Sequence, residues 1–239
     1  MVPIGLILLG IVLILLAFGV LKRMFDRMGV SYIFTIAAIA LVIIGVLVPV
    51  IPITAMFSLS VGGFIIPVIA AVVLAVTIGW NQELLRAFVG VLAVAAVSLG
   101  LFYLMPAETT GMHVAAAICV GLVAGGAAYL AGNTSRASVT AALLGIPLAQ
   151  ILFFTINYYT GRYAYLGLGE GLFFNTMVVA VITSVVLVEL VRSVKARSVM
   201  HDARRDSTAA RFESGERFDF EHNEFYENQK ENLDNDLDK

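Results

Sequence analysis

The sequence predicts an all-α, polytopic transmembrane helical bundle of seven spans, with the N-terminus outside and the C-terminus inside. Three observations carry that prediction. The 239-residue chain is 60% hydrophobic and only 13% charged, whereas soluble domains carry about 25% charged residues. Its apolar residues fall into continuous runs of about 20, the length of a bilayer-spanning helix. Lys and Arg gather in alternate connections between those runs, the standard orientation signal.

The first run, Pro3–Leu21, ends at Lys22-Arg23. Its basic cluster follows the apolar stretch and no small-residue cleavage site precedes Lys22, so a retained helix is expected instead of a signal peptide. Further runs lie at Tyr32–Val50, Val61–Trp80, Ala87–Met105, Met112–Ala131, Val139–Asn157 and Leu172–Val191. Pro49, Pro52, Asn81-Gln82-Glu83, Pro106-Ala107-Glu108, Asn133-Thr134-Ser135 and the Gly161–Gly171 stretch punctuate them. A β-barrel is disfavoured, because the runs do not alternate with period two over about ten residues.

The third run is the least regular: Ser58, Ser60, Gly62, Gly63 and Pro67 interrupt it before Val68–Gly79. A helix kinked at proline is expected. The alternative is a re-entrant piece, which would need shelter inside protein. Pro147, after Gly145, sits inside the sixth run and predicts a second kink.

With Lys22, Arg23 and Arg27 inside, alternation places Arg86, Arg136, Arg192, Lys195 and Arg197 inside as well, and only Arg162 outside. Tyr103, Tyr158, Tyr159, Tyr163 and Tyr165 then collect at the outer interface, with Tyr32 and Trp80 near the inner one, as in an interfacial belt. This places the protein in the cell (inner or plasma) membrane as a multi-pass protein with the lipid bilayer as its first partner.

Ala117, Gly121 and Gly125 recur at four-residue spacing in the fifth run, with Ala128 and Gly132 on an adjoining stripe. Ala96/Gly100 and Ala37/Gly45 offer shorter versions. Small residues on one helix face let another backbone approach closely. The partner is a helix of the same chain or of a second copy, which leaves a homo-oligomer open.

The body, residues 1–197, is net +4; residues 198–239 are net −6. The second segment, the predicted cytoplasmic tail, mixes Phe212, Phe218, Phe220, Phe225 and Tyr226 with acids and has no apolar core to offset its ordering entropy, so it is expected to be mostly disordered. Its aromatics suit a docking motif for a cytoplasmic protein. Its negative charge argues against nucleic acid.

Polar residues at membrane depth define the candidate site. Gln150 lies one turn beyond Pro147, and Asn157 lies two turns further along the same face, about 10 Å away. Together with Gly62 and Gly63 of the other interrupted run, these residues form the ligand-binding candidates for a neutral polar path. Glu170, Asn175 and Glu189 are secondary candidates. Glu170, among Gly167, Gly169 and Gly171, is placed to favour the positive end of the last helix, and Glu189 precedes Arg192 by one helical turn. Each residue also has a bland role in packing, capping or snorkelling.

No cofactor or metal is expected. The glycines at 167–171 lack the strand–turn–helix context of a nucleotide loop, His113 and Cys119 have no companion ligands, and Cys119 reads as a packed thiol. The last run lacks a lysine for a retinal Schiff base. Without paired carboxylates or a nucleophile–base set, an intramembrane enzyme is disfavoured. Two functions remain as expectations: a small polar solute transporter or channel-like protein, or a membrane scaffold or assembly protein with a docking tail.

Val2-Pro3-Ile4-Gly5, Phe25-Asp26-Arg27-Met28-Gly29-Val30-Ser31, Val61-Gly62-Gly63-Phe64-Ile65-Ile66-Pro67 and Gly167-Leu168-Gly169-Glu170-Gly171-Leu172-Phe173 together resemble a family of uncharacterised prokaryotic polytopic membrane proteins, known as a domain of unknown function. The resemblance covers about residues 1–190. It implies a helical membrane protein with an acid in the penultimate span and another after the Gly-rich segment. This chain has Gln150 and Phe174-Asn175 in those neighbourhoods, a departure that counts against a proton-linked role.

Overall fold

The structure, a computed structural model, describes residues 4–19, 31–54, 57–79, 81–105, 110–161, 166–195 and 197. Among these are seven α-helices. They are α1 (Ile4–Ala17), α2 (Tyr32–Leu47), α3 (Ile66–Ile78), α4 (Gln82–Leu104), α5 (Thr110–Gly132), α6 (Ser135–Tyr159) and α7 (Gly171–Lys195). Five helical segments are long and apolar enough to cross a membrane: Val61–Ile78, α4, Met112–Gly132 within α5, α6 and α7. The first two helices are shorter, 14 and 16 residues, or about 21 and 24 Å of rise. The chain divides into two compact units, Met1–Glu189 and Leu190–Lys239. Lys22, Arg23, Arg27, Trp80, Arg162, Tyr163, Tyr165 and the tail aromatics lie outside the described residues.

Three short strands correct the purely helical expectation. β1 (Ile51–Thr54) pairs antiparallel with β2 (Phe57–Leu59), and β2 pairs parallel with β3 (Leu166–Leu168). The order is β1-β2-β3, which leaves β1 as an edge that can accommodate Pro52.

The irregularity in the third run also has another form than the expected proline kink. A π-helical turn, Val61–Ile65, leads straight into α3. The Ile65 N–H donates to Ser60 O, five residues back, and the Ile66 N–H likewise reaches Val61 O. Pro67 stands in the first α-turn, where a missing N–H costs least. In the sixth run, α6 continues as one helix through Pro147.

Small residues set the helix contacts. A Cβ on Gly145 would stand 2.5 Å from Val94 Cγ1, and one on Gly90 2.8 Å from Ala141 Cβ, so α4 and α6 meet nearly backbone to backbone. The stripe on α5 faces α7 of the same chain: a Cβ at Gly121 would meet Val179 at 2.6 Å, and one at Gly125 the Ala180 carbonyl at 2.6 Å. Gly45 of α2 abuts Gly62 in the same way. Ala96 and Gly100 of α4 make no such contact within the chain, since both are exposed and nothing lies within 4 Å of a Cβ at Gly100. Ala37 and Cys119, the latter expected to be packed, are exposed too. The core closes around Val94, Ala124, Ala128, Ala141, Ile146 and Ala180.

Candidate functional site

The site begins with a local pattern: Phe57-Ser58-Leu59-Ser60 alternates apolar and polar, the period of a strand. Ser58 is buried on β2 and Ser60 is buried just beyond it. Ser60 ends the extended stretch and caps the π-turn, its Oγ accepting from the Gly63 N–H at 3.1 Å. Its own N–H donates to the Leu168 carbonyl at 2.9 Å and so prolongs the pairing with β3.

Glycine lets two backbones touch at this point. A Cβ on Gly63 would lie 1.9 Å from the Gly169 carbonyl oxygen, inside any tolerable contact. Gly169 has φ +77°, in the left-handed region, and a Cβ there would lie 2.6 Å from the Gly63 carbonyl carbon. The starts of α3 and α7 are thereby pressed together with no side chain between them. Gly62 faces the other way, onto the α2 backbone at Gly45 and Val46.

Gln150 holds the same strand from α6. Its Nε2 donates to the Gly167 carbonyl at 2.7 Å, and its Oε1 accepts from the Gly169 N–H at 3.0 Å. The side chain is 1% exposed. Gln150 stands nine residues before the end of α6, about 13 Å along the axis, so β3 reaches well inside the bundle. Extended backbone at such a depth is tolerated only where protein satisfies its polar groups; β2 and Gln150 do so here.

Glu170 completes the cluster. Its Oε1 accepts from Ser58 Oγ at 2.6 Å, and its carboxylate lies over Gly167, 2.9 Å from where a Cβ would be. Four of the sequence candidates therefore belong together or adjoin: Gln150, Gly63, Glu170 and, as the chain neighbour of Gly63 turned toward α2, Gly62. Asn157 is elsewhere. Its Nδ2 donates to the Phe153 carbonyl at 2.7 Å and to Tyr103 Oη at 3.3 Å, beside the aromatic contacts of Phe102, Phe153 and Phe173. Asn175 Oδ1 accepts from the Gly5 N–H at 2.8 Å, tying α1 to α7. Glu189 is half-buried late in α7.

Sequence reasoning missed Ser58 and Ser60, which it treated as interruptions, and Gly167 and Gly169, which it treated as punctuation. The period-two alternation over 57–60 was the available signal. No group of three potential metal ligands occurs among the described residues, and His113 is not part of one.

A cavity of about 340 Å³ lies apart from this cluster, among α1, α2, α3, α6 and α7. Neither Gln150, Asn157, Gly62 nor Gly63 lines it. No protein-family model, curated protein or solved structure matches the chain.

Proposed function

We propose that this is a seven-span protein of the cell membrane, N-terminus outside and C-terminus inside, that works as a membrane scaffold or assembly protein and recruits a cytoplasmic partner through its acidic tail. The observation that carries this reading is the Gln150 clasp. Both ends of the amide that would have lined a polar path are bonded to Gly167 and Gly169, and Gly62 and Gly63 are filled by neighbouring backbone. Orientation rests on the eight Lys and Arg residues that alternation places on one side against one on the other. Full-length protein and a form ending at Arg197, purified from membranes under identical conditions, should differ by a set of proteins retained only with residues 198–239. Identical retained sets would count against the tail as a docking element.

A second reading, polar solute transport, is favoured by one observation: two helix starts, at Val61 and Gly171, meet inside the bundle through Ser60–Leu168 and Gly63–Gly169. Discontinuous helices meet in this manner at transporter sites. Solute-dependent protection of the purified protein against heat, lost in Gln150→Leu, would favour transport over the scaffold.

A further inference from the structure

The free edge of the sheet lies along β1. Leu47, Val48, Val50, Ile51 and Ile53 are all exposed, and no residue from Leu47 to Thr54 carries a charge. The backbone groups of this stretch can be assigned to a side. Ser60 spends its N–H on Leu168 of β3, so Leu59, one residue earlier, turns its groups the other way, to Ile51. Pro52 has no N–H to give Ser58, the residue opposite it. Its carbonyl therefore points away from β2, as do the N–H and carbonyl of Val50, two residues back. None of these three groups has a hydrogen-bond partner among the described residues. The edge is also deep. Ile51, Leu59 and Leu168 stand on one row across the three strands. Leu168 lies between the two residues that Gln150 holds, so the row is level with Gln150, about 13 Å inward of the end of α6. α2 stops at Leu47 after 16 residues, or about 24 Å, and the apolar chain continues from there in extended form as β1.

We propose that β1 pairs antiparallel with β1 of a second copy across a two-fold axis at Ile51, joining two three-stranded sheets within the membrane. Lipid would solvate the isoleucines and leave the backbone groups unpaired, which is why open sheet edges are absent from the hydrocarbon region. Water would solvate the backbone and leave the row of aliphatic side chains exposed. Another strand satisfies both. A second copy suits this edge, because two uncharged strands meet without repulsion and an isologous contact closes after two chains. With the axis at Ile51, each Val50 N–H donates to the Pro52 carbonyl of the other copy. Pro52 then leaves no donor wanting, and only the Val50 carbonyl lacks a partner, a carbonyl being the group more often left under-satisfied. The two Ile51 residues face each other as a non-hydrogen-bonded pair, with Cα atoms about 4.5 Å apart. The two Ile53 residues are offset by about 13 Å along the strands. This pairing rests on α6 crossing a membrane and goes beyond the scaffold reading, since the tail plays no part in it.

The test is disulfide cross-linking of full-length protein in its membranes, in a Cys119→Ser background, with copper phenanthroline as the oxidant. Ile51→Cys should link to its copy and run at twice the monomer mass, reverting on reduction, since the spacing lies inside the about 4.4–6.8 Å that a disulfide tolerates. Ile53→Cys, exposed on the same strand, and Leu122→Cys, exposed on α5, should stay monomeric under the same conditions. Val50→Pro added to Ile51→Cys removes the donor of the free edge and should cut the linked fraction severalfold, whereas Val50→Ala should not. If Val50→Pro does not fold, the contrast between Ile51→Cys and Ile53→Cys still decides. No link at Ile51→Cys, equal linking at all three positions, or a link from Ile51→Cys to a protein of another mass would overturn the pairing.

Discussion

Gln150 uses both ends of its amide on the backbone of β3 and the residue after it, so its replacement strips partners from two buried groups at once. Gln150→Leu removes the bonds to the Gly167 carbonyl and the Gly169 N–H, at about 1–3 kcal/mol each. A loss of about 2–6 kcal/mol is expected in reversible unfolding in detergent, and an unchanged midpoint would show that the clasp carries no stability. Gly63 and Gly169 form a second residue-scale test. Gly63→Ala and Gly169→Ala each drive a Cβ into backbone and should cost at least about 3 kcal/mol. Gly100→Ala and Gly126→Ala meet open space and should be neutral or stabilising by up to about 1 kcal/mol. Equal melting of all four would refute the packing. At this scale the sequence marked Gln150 as a deep polar group needing partners. It did not reveal them, because they are backbone atoms 17 and 19 residues away, on and just after a strand of only three residues.

The elements divide by how their information is written. Helix interiors were legible because a run of about 20 apolar residues has one economical solution in lipid, and the helices found lie close to the expected runs. The strands were not, since three residues of β2 and three of β3 offer too short a pattern to outweigh the apolar runs beside them. The π-turn at Val61–Ile65 was equally hidden: its glycines and Pro67 signal irregularity, while the backbones they meet, Gly45–Val46 on one side and Gly169 on the other, lie far away in the sequence. Ser58→Ala removes the bond from β2 to Glu170 and should cost about 1.5–3 kcal/mol, the range for hydrogen bonds to charged groups. Thermal unfolding of the variant checks it, and a neutral result would assign Glu170 to helix α7 alone. Gly121→Val should push α5 off Val179 and Thr176 by overpacking worth about 1–3 kcal/mol. Gly126→Leu, on the open face, should leave the melt unchanged.

For the whole molecule, the topology proposal makes an expectation of sidedness. In a Cys119→Ser background, Thr160→Cys, exposed after α6, should react with a membrane-impermeant thiol reagent on intact cells. Asn81→Cys and Asn133→Cys, exposed at the other end, should react only after the membrane is opened. Labelling of all three from outside would break the odd span count. Orientation was read entirely from charge, whereas closure of the polar core depends on long-range contacts that no local pattern encodes. In the proposed scaffold this core is closed and held by protein, with no hydrated path along Gln150. Hydrogen–deuterium exchange at the Gly169 amide of the protein in nanodiscs reads this closure. Since this N–H donates to a side chain that is 1% exposed, its exchange should be as slow as that of the α4 and α6 interiors. Exchange as fast as that of the exposed turn at Thr160–Gly161 would place water at Gln150 and contradict the closed core.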